Sequence, residues 1–327
     1  MRVLPWILLA LVGCKGDPRP SPPTTVGPAA PAATTARPTL ADARRGFVTR
    51  VIREEQDEDE PAPAPPAGVF ELIRYDAPIG KLAAYVTPDP RDGARHPAIV
   101  WITGGDCNSI GEVWDGAPRA NDQTAAAYRK AGIVMMFPSL RGGNDNPGRR
   151  EGFYGEVDDV LAAADHLAAL PYVDPQRIYL GGHSTGGTLA MLVAETSGRF
   201  RAVFAFGPVY DPRGYGGAFL YHDERIAKED ELRSPGRWLA DVTSPLFVIE
   251  GVEGSSNIES LRAMRESTGN RLIHFVPVPG ADHFSVLAPA NDLLVAKVVA
   301  DTGATSAITF NGADIARITE HAEPLPE

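Results

Sequence analysis

Gly182-His183-Ser184-Thr185-Gly186 sets one hydroxyl between two glycines, each two residues away. The apolar run Ile178-Tyr179-Leu180 precedes it, and 188–195 follows with helix-like composition. Strand, Gly-x-Ser-x-Gly, helix is the order of a nucleophile elbow. The turn is so sharp that side chains at positions two before and two after the serine would collide, so glycine is required at both. Serine is a weak nucleophile at its own pKa and needs a base. Asp282-His283-Phe284, after the turn Pro279-Gly280 and the last apolar run, places His283 where a base could reach over Ser184. The oxyanion formed on attack needs two backbone N–H donors. The amide of Thr185 is the first candidate. The loop Gly104-Gly105-Asp106, after Ile99-Val100-Trp101-Ile102-Thr103, offers Gly105 and Asp106 for the second. Cys107 adjoins that loop, but no local pattern marks it as a nucleophile. No histidine sits in a His-Glu-x-x-His pattern or pairs with cysteines, so neither metal nor other cofactor is expected.

Those groups must be carried by a scaffold. From residue 69 onward, β-type runs alternate with helical runs. Strands are expected at 69–75, 82–87, 98–103, 133–137, 177–180, 202–206, 246–250 and 272–278. The last six are mostly continuous apolar runs, as in parallel strands covered on both faces. The first two flank a Pro78-Ile79-Gly80 turn and read as an antiparallel hairpin. Helices are expected at 121–131, 157–169, 187–197, 258–267 and 292–299. This alternation predicts right-handed crossovers and a mostly parallel, eight-stranded, doubly wound sheet, the α/β-hydrolase fold, with ligands at the carboxyl ends of its strands. The order serine, acid, histidine along the chain is also that fold's order. Residues 211–244, with Tyr215, Phe219, Tyr221 and Trp238, are expected to form a small cap after strand six.

The N-terminal region reads differently. Met1-Arg2 precedes an apolar stretch over 3–12, too short to span a bilayer but fitting for a signal peptide. Leu11-Val12-Gly13-Cys14 resembles a bacterial lipobox, which implies lipidation at Cys14, a membrane anchor as partner and a place in the cell envelope outside the cytoplasm. Residues 15–38 are rich in Pro, Ala and Thr, and an acidic run over 54–60 follows. The whole of 15–67 therefore reads as linker, with 44–53 able to add a strand or short helix. The catalytic domain is expected over 68–303 and a C-terminal tail over 304–327. A net charge of −11 argues against nucleic acid as partner. With Cys14 acylated, Cys107 has no disulfide partner.

Four segments together carry a resemblance. Phe137 to Gly143 (FPSLRGG), Gly155 to Val160 (GEVDDV), Val173 to Ile178 (VDPQRI) and Gly181 to Gly187 (GGHSTGG) look like the catalytic domain of prolyl oligopeptidase family serine peptidases, over about 97–300. The resemblance implies an α/β-hydrolase domain with a serine, acid and histidine triad, cleaving peptides or, in smaller relatives, esters. By position Ser184 is the nucleophile and His283 the base, while Asp158 or Asp159 holds the arginine loop and its helix, so both carboxylates read as structural. Two places depart from the family. Its His-Gly-Gly is here Thr103-Gly104-Gly105. Its aspartate after strand seven is replaced within Gly251-Val252-Glu253-Gly254-Ser255-Ser256, leaving Glu253, then Asp211, then Glu250 as the order of candidate acids. The expectation is a serine hydrolase of peptide or ester bonds working through an acyl-enzyme. The alternative is an inactive hydrolase fold kept for surface binding.

Overall fold

Why the chain folds as it does is clearest at its centre, where 173–206 builds strand, helix and strand from almost wholly buried residues. In the computed structural model, residues 37–53 and 60–323 are described. Cys14, the stalk up to residue 36 and most of the acidic run lie outside them. Eight strands form one sheet: β1 (Glu71–Ala77), β2 (Gly80–Val86), β3 (His96–Ile102), β4 (Val134–Pro138), β5 (Val173–His183), β6 (Val203–Phe206), β7 (Leu246–Gly251) and β8 (Ile273–Val278). Their order is β1-β2-β4-β3-β5-β6-β7-β8. β1–β2 and β2–β4 pair antiparallel, and all other neighbours pair parallel. The eight expected strands are all present, with ends shifted by a few residues.

The helices are α1 (Leu40–Arg44), α2 (Ala126–Lys130), α3 (Glu156–Ala169), α4 (Thr185–Thr196), α5 (Ala227–Glu231), α6 (Ile258–Glu266), α7 (Leu287–Ala300) and α8 (Gly312–Glu320). In α3, Val157, Val160, Ala164 and Leu167 recur at helical spacing and are all buried. α4 is buried on every side up to Glu195, as a helix wedged between sheet and cap must be. α2 is shorter than the expected 121–131 because Asp122 takes the Thr124 amide and hydroxyl into a local turn before the helix begins. α7 starts earlier than expected, with Pro289 in its first turn, where its missing N–H costs nothing.

Three segments depart from the expected organisation. The C-terminal tail is part of the domain: α8 is closed by an Asn311–Asp314 capping box and buries Ile318, while Phe310 packs on Phe247 of β7. Residues 60–67 are also tied down, since Ala62 is buried and Tyr85 Oη donates to Pro63 O at 2.7 Å. Residues 37–53 form a strap in place of the expected loose linker. α1 inserts Leu40, and Arg44 lies over the Tyr154 ring while binding Asp158 at 3.1 Å. The strap then runs extended and bridges Val51 to His222.

The strap docks on the cap, which fills the expected 211–244 with short 3₁₀ turns and α5. A buried cation holds that junction. Arg233 is fully buried and donates to Glu229 Oε2 at 2.6 Å, to Glu151 O at 2.9 Å and to Thr49 Oγ1 at 2.5 Å. Glu229 in turn accepts from Arg50 N and Thr49 Oγ1. Removing one partner leaves a buried charge uncompensated, at a cost of about 3–5 kcal/mol. Glu229→Ala is therefore expected to lower the unfolding free energy by that much, read as a lower urea midpoint at unchanged slope, whereas Glu229→Leu with Arg233→Met should recover most of the loss.

Candidate functional site

Ser184 stands at the end of β5 with φ 53° and ψ −115°, a left-handed conformation that costs a side chain about 1–3 kcal/mol. The elbow geometry explains its glycines. A Cβ on Gly182 would lie 2.4 Å from Gly186 O, and one on Gly186 would lie 2.3 Å from Ile102 O. The serine is pinned from below, since its N–H donates to Phe206 O at 2.7 Å and its carbonyl accepts from Thr188 N at 2.9 Å.

The next residue after Phe206 is where the imidazole arrives. Gly207 has φ 56°, and a Cβ there would fall 2.4 Å from His283 Cε1 and 2.6 Å from Glu250 Oε2. Ser184 and the His283–Glu250 pair thus flank a single peptide, Phe206–Gly207, at the carboxyl end of β6. His283 Nδ1 lies 3.0 Å from Glu250 Oε1 and 3.4 Å from Oε2. Glu250 is fully buried, and its Oε1 also accepts from Asn257 N at 2.7 Å and Ser256 Oγ at 3.0 Å. Asn257 then donates to Gly207 O at 2.8 Å, closing the ring of contacts.

The order of acids expected from the sequence is corrected here. Glu253 does not touch His283; its exposed carboxylate points at Gly280 N, 3.5 Å away. Asp211 is engaged by Arg213, from Nε at 2.9 Å and Nη2 at 3.0 Å. The physical reason lies in how the His283 loop crosses β7. Ala281 O and Asp282 O press on Gly251, where a Cβ would meet them at 2.5 and 2.3 Å. The ring that follows then falls beside the preceding residue, Glu250. After Gly251 the chain turns along β8, with Glu253 N bound to Ala281 O, which carries Glu253 to the rim.

Around this centre the other candidates take defined places. Thr185 opens α4, so its amide lies in the first turn, where a helix leaves its N–H groups without intrahelical partners. Its hydroxyl donates to Gly105 O at 2.8 Å, tying the Gly104–Asp106 loop to the elbow. Gly105 has φ 75°, and Gly104 packs so close that a Cβ there would lie 3.3 Å from Ser184 Cβ. Among the described residues neither the Gly105 nor the Asp106 amide meets an acceptor. The carboxylate of Asp106 is turned away, paired with Arg150 at 2.7 Å. Cys107 is buried and its thiol is pushed up by burial, which does not suit a nucleophile. Asp159 holds the arginine loop by accepting from Arg141 N, Nε and Nη2, while Asp158 goes to Arg44 of the strap. Among the described residues no group of three or more His, Cys, Asp or Glu side chains could hold a metal ion.

Several contributing groups carry no sequence signal of their own. Gly207, Ser256 and Asn257 do their work through register across strand ends. Tyr215, from the cap, bonds Thr188 Oγ1 at 2.7 Å in the first turn of α4. His183, the variable residue of the elbow, lies with its ring centroid 4.5 Å from that of His283. Gln123 Nε2 donates to its Nδ1 at 2.7 Å, which leaves the proton on Nε2 to bond His283 O at 3.0 Å. Burial, and then the neighbouring His283, hold its pKa down to about 3.

The sign of that shift fixes a stability trend. A histidine whose folded pKa lies below its unfolded value of about 6.5 favours the unfolded chain as pH falls below that value, and the loss is complete near pH 3. At pH 5 the contribution of His183 is a loss of about 2 kcal/mol. Urea unfolding from pH 7 to pH 5 should show this decline, and His183→Asn should flatten it.

With the geometry in hand, comparison with known proteins is specific. The sequence pattern of the prolyl oligopeptidase family matches residues 119–291, just over half of the chain. Dipeptidyl-peptidase 5 of Porphyromonas gingivalis is 26% identical over 232 residues, covering 63% of this chain and 33% of that protein. S-formylglutathione hydrolase of Mus musculus is 28% identical over 155 residues, 40% of this chain and 52% of that protein. The chain thus spans a third to about half the length of these curated relatives. A puromycin-hydrolyzing peptidase of Mycobacterium tuberculosis superposes with a TM-score of 0.58 at 18% identity, over 71% of this chain and 40% of its own. The 2,6-dihydroxy-pseudo-oxynicotine hydrolase does so with 0.54 at 15% identity, over 75% and 72%. At those identities the likeness speaks for the fold, which is that of the α/β-hydrolases.

Proposed function

The chain belongs to the prolyl oligopeptidase family, and on that premise we propose that it is a serine hydrolase of peptide or ester bonds. One observation supports this above the rest: Ser184, His283 and Glu250 gather around the Phe206–Gly207 peptide, with Glu250 on the Nδ1 side of the imidazole. In this reading Ser184 Oγ attacks the substrate carbonyl carbon while His283 Nε2 takes its proton. Negative charge builds on the carbonyl oxygen, which accepts from the Thr185 amide and from the Gly105–Asp106 loop. The tetrahedral adduct collapses, His283 returns the proton to the leaving nitrogen or oxygen, and an ester to Ser184 remains. Water then repeats the sequence and frees the acid. Glu250 positions the ring and stabilises the imidazolium formed at each step. Glutamate can do for imidazole what aspartate does elsewhere. Glu250, three positions before Glu253, supports activity despite the missing family aspartate, which is the motive for a binding-only alternative.

The test is labelling by a fluorophosphonate together with turnover of p-nitrophenyl esters and short peptides. Ser184→Ala and His283→Ala are expected to abolish both, and an unlabelled native protein would overturn the reading. Glu250→Gln should lower kcat by roughly 10²–10⁴ with a smaller change in KM, and Glu250→Asp should restore part of it. Glu253→Gln should change kcat less than twofold.

We also propose that Met1 to Cys14 is a lipoprotein signal and that the enzyme works tethered to a membrane outside the cytoplasm. The lipobox-like Leu11-Val12-Gly13-Cys14 and the Pro/Ala/Thr stalk after it support this. Metabolic labelling with an alkynyl fatty acid in a bacterial host should tag the protein, and Cys14→Ser should remove the tag. A tag that survives the substitution would overturn the proposal.

A further inference from the structure

A directed chain of hydrogen bonds runs beside the elbow, outside the Ser184, His283 and Glu250 group. It begins at a group that can only donate: Gly104 N–H gives its proton to Gln123 Oε1 at 3.0 Å. That bond fixes which end of the Gln123 amide is oxygen and which is nitrogen. Nε2 therefore donates, to Asn121 Oδ1 and to His183 Nδ1, both at 2.7 Å. The imidazole is left with its proton on Nε2, 3.0 Å from a group that can only accept, His283 O. An obligate donor at one end and an obligate acceptor at the other give every link a single direction.

The ends of this chain are the two parts of the site whose spacing the chemistry needs. Gly104 opens the loop that offers the Gly105 and Asp106 amides, and the Thr185 hydroxyl holds that loop through Gly105 O. His283 is tied at its N–H by Ser255 O at 2.9 Å and at its ring by Glu250. His183 supplies the third tie, on the carbonyl. The fit is tight. A Cβ on Gly104 would lie 2.6 Å from His183 Nδ1, and the His183 and His283 ring centroids are 4.5 Å apart. Gln123 is itself anchored to β3, since its carbonyl accepts from Trp101 Nε1 at 3.1 Å. From this, and resting on the hydrolase reading above, we propose that Gln123 and His183 are positioning residues: together they hold the Gly104–Asp106 loop and the His283 loop at a fixed spacing around the elbow. A second consequence concerns charge. Protonating His183 at Nδ1 would set that N–H against the Gln123 amide nitrogen, donor against donor. It would also place a cation beside an imidazole that must itself become one. His283 faces His183 from the loop after β8, with Glu250 of β7 bonded to that ring, while Gln123, Gly104 and Phe284 bring no charge. His183 thus stays neutral through turnover, and the positive charge of each step goes to His283.

The test uses the full chain, p-nitrophenyl butyrate and a fluorophosphonate. Gln123→Met keeps the length of the side chain but neither accepts from Gly104 nor donates to His183. It should lower kcat and the labelling rate about 10²-fold, with KM within about threefold of the native value. His183→Gln, whose Nε2 can still reach His283 O, should keep about tenfold more kcat than His183→Phe, which fills the space without a donor. Because the links act as one unit, Gln123→Met with His183→Phe should be little worse than either alone. Turnover in Phe equal to that in Gln would mean packing alone and overturn the proposal, as would losses that simply multiply in the double variant. A second arm needs no turnover: two-bond nitrogen–proton correlation of histidine-labelled native protein, with the His183 signals assigned from the His183→Gln spectrum. His183 should show the Nε2–H tautomer and remain neutral from pH 7 to pH 5. A proton on Nδ1 would overturn the proposal even if the ester is hydrolysed. The Nε2–H tautomer in a protein that neither labels nor turns over would support the chain of bonds and remove only the hydrolase reading.

Discussion

One close approach governs this molecule: the passage of the His283 ring and the Glu250 carboxylate across the bare backbone of Gly207. No side chain fits there, because a Cβ would lie within 2.4–2.6 Å of both groups. The same strand end supplies Phe206 O to the Ser184 amide. The elbow from β5, Glu250 from β7 and His283 from the loop after β8 are thus indexed to one peptide of β6. Parallel pairing across β5, β6, β7 and β8 puts their four carboxyl ends side by side, so the register of the sheet is what brings Ser184, Glu250 and His283 together. The strain at Ser184 is borne by this packing, since the neighbours leave its backbone no alternative.

Away from the centre, a second organising contact is the buried Arg233–Glu229 pair. It joins the cap to the strap through Thr49 and Arg50, and through Glu151 O to the arginine loop. That loop is itself set by Arg141 on Asp159. Two guanidinium groups therefore fix the arginine loop, which is held from the cap as well as from α3.

How much of this could be read in the sequence varied with the range of the interaction. The strands, the elbow and the position of His283 were legible because each has a local pattern: continuous apolar runs, paired glycines, a turn after the last strand. Which carboxylate meets His283 is not legible locally, because it depends on which residue the crossing loop meets, a matter of register between β7 and β8. Glu250 read as an ordinary strand end, and Glu253 fitted the spacing of relatives better. The strap and α8 were taken for linker and tail because their composition is polar. What orders them is a few long-range insertions, Leu40, Ile318 and Phe310, which leave no periodic trace in so short a segment. Tyr215 and Gln123 escaped notice for the same reason.

The strap also bears on the order in which the chain assembles. Arg50 meets Glu229 across a sequence separation of 179 residues, and Leu40 meets Asp241 across 201. During synthesis the strap leaves the ribosome before the sheet, yet these two partners emerge only after six of the eight strands have been made. It must wait undocked while the central sheet collapses, and pairings at such separation close slowly. A segment made before the sheet is therefore among the last to settle, and the cap takes its final setting with it.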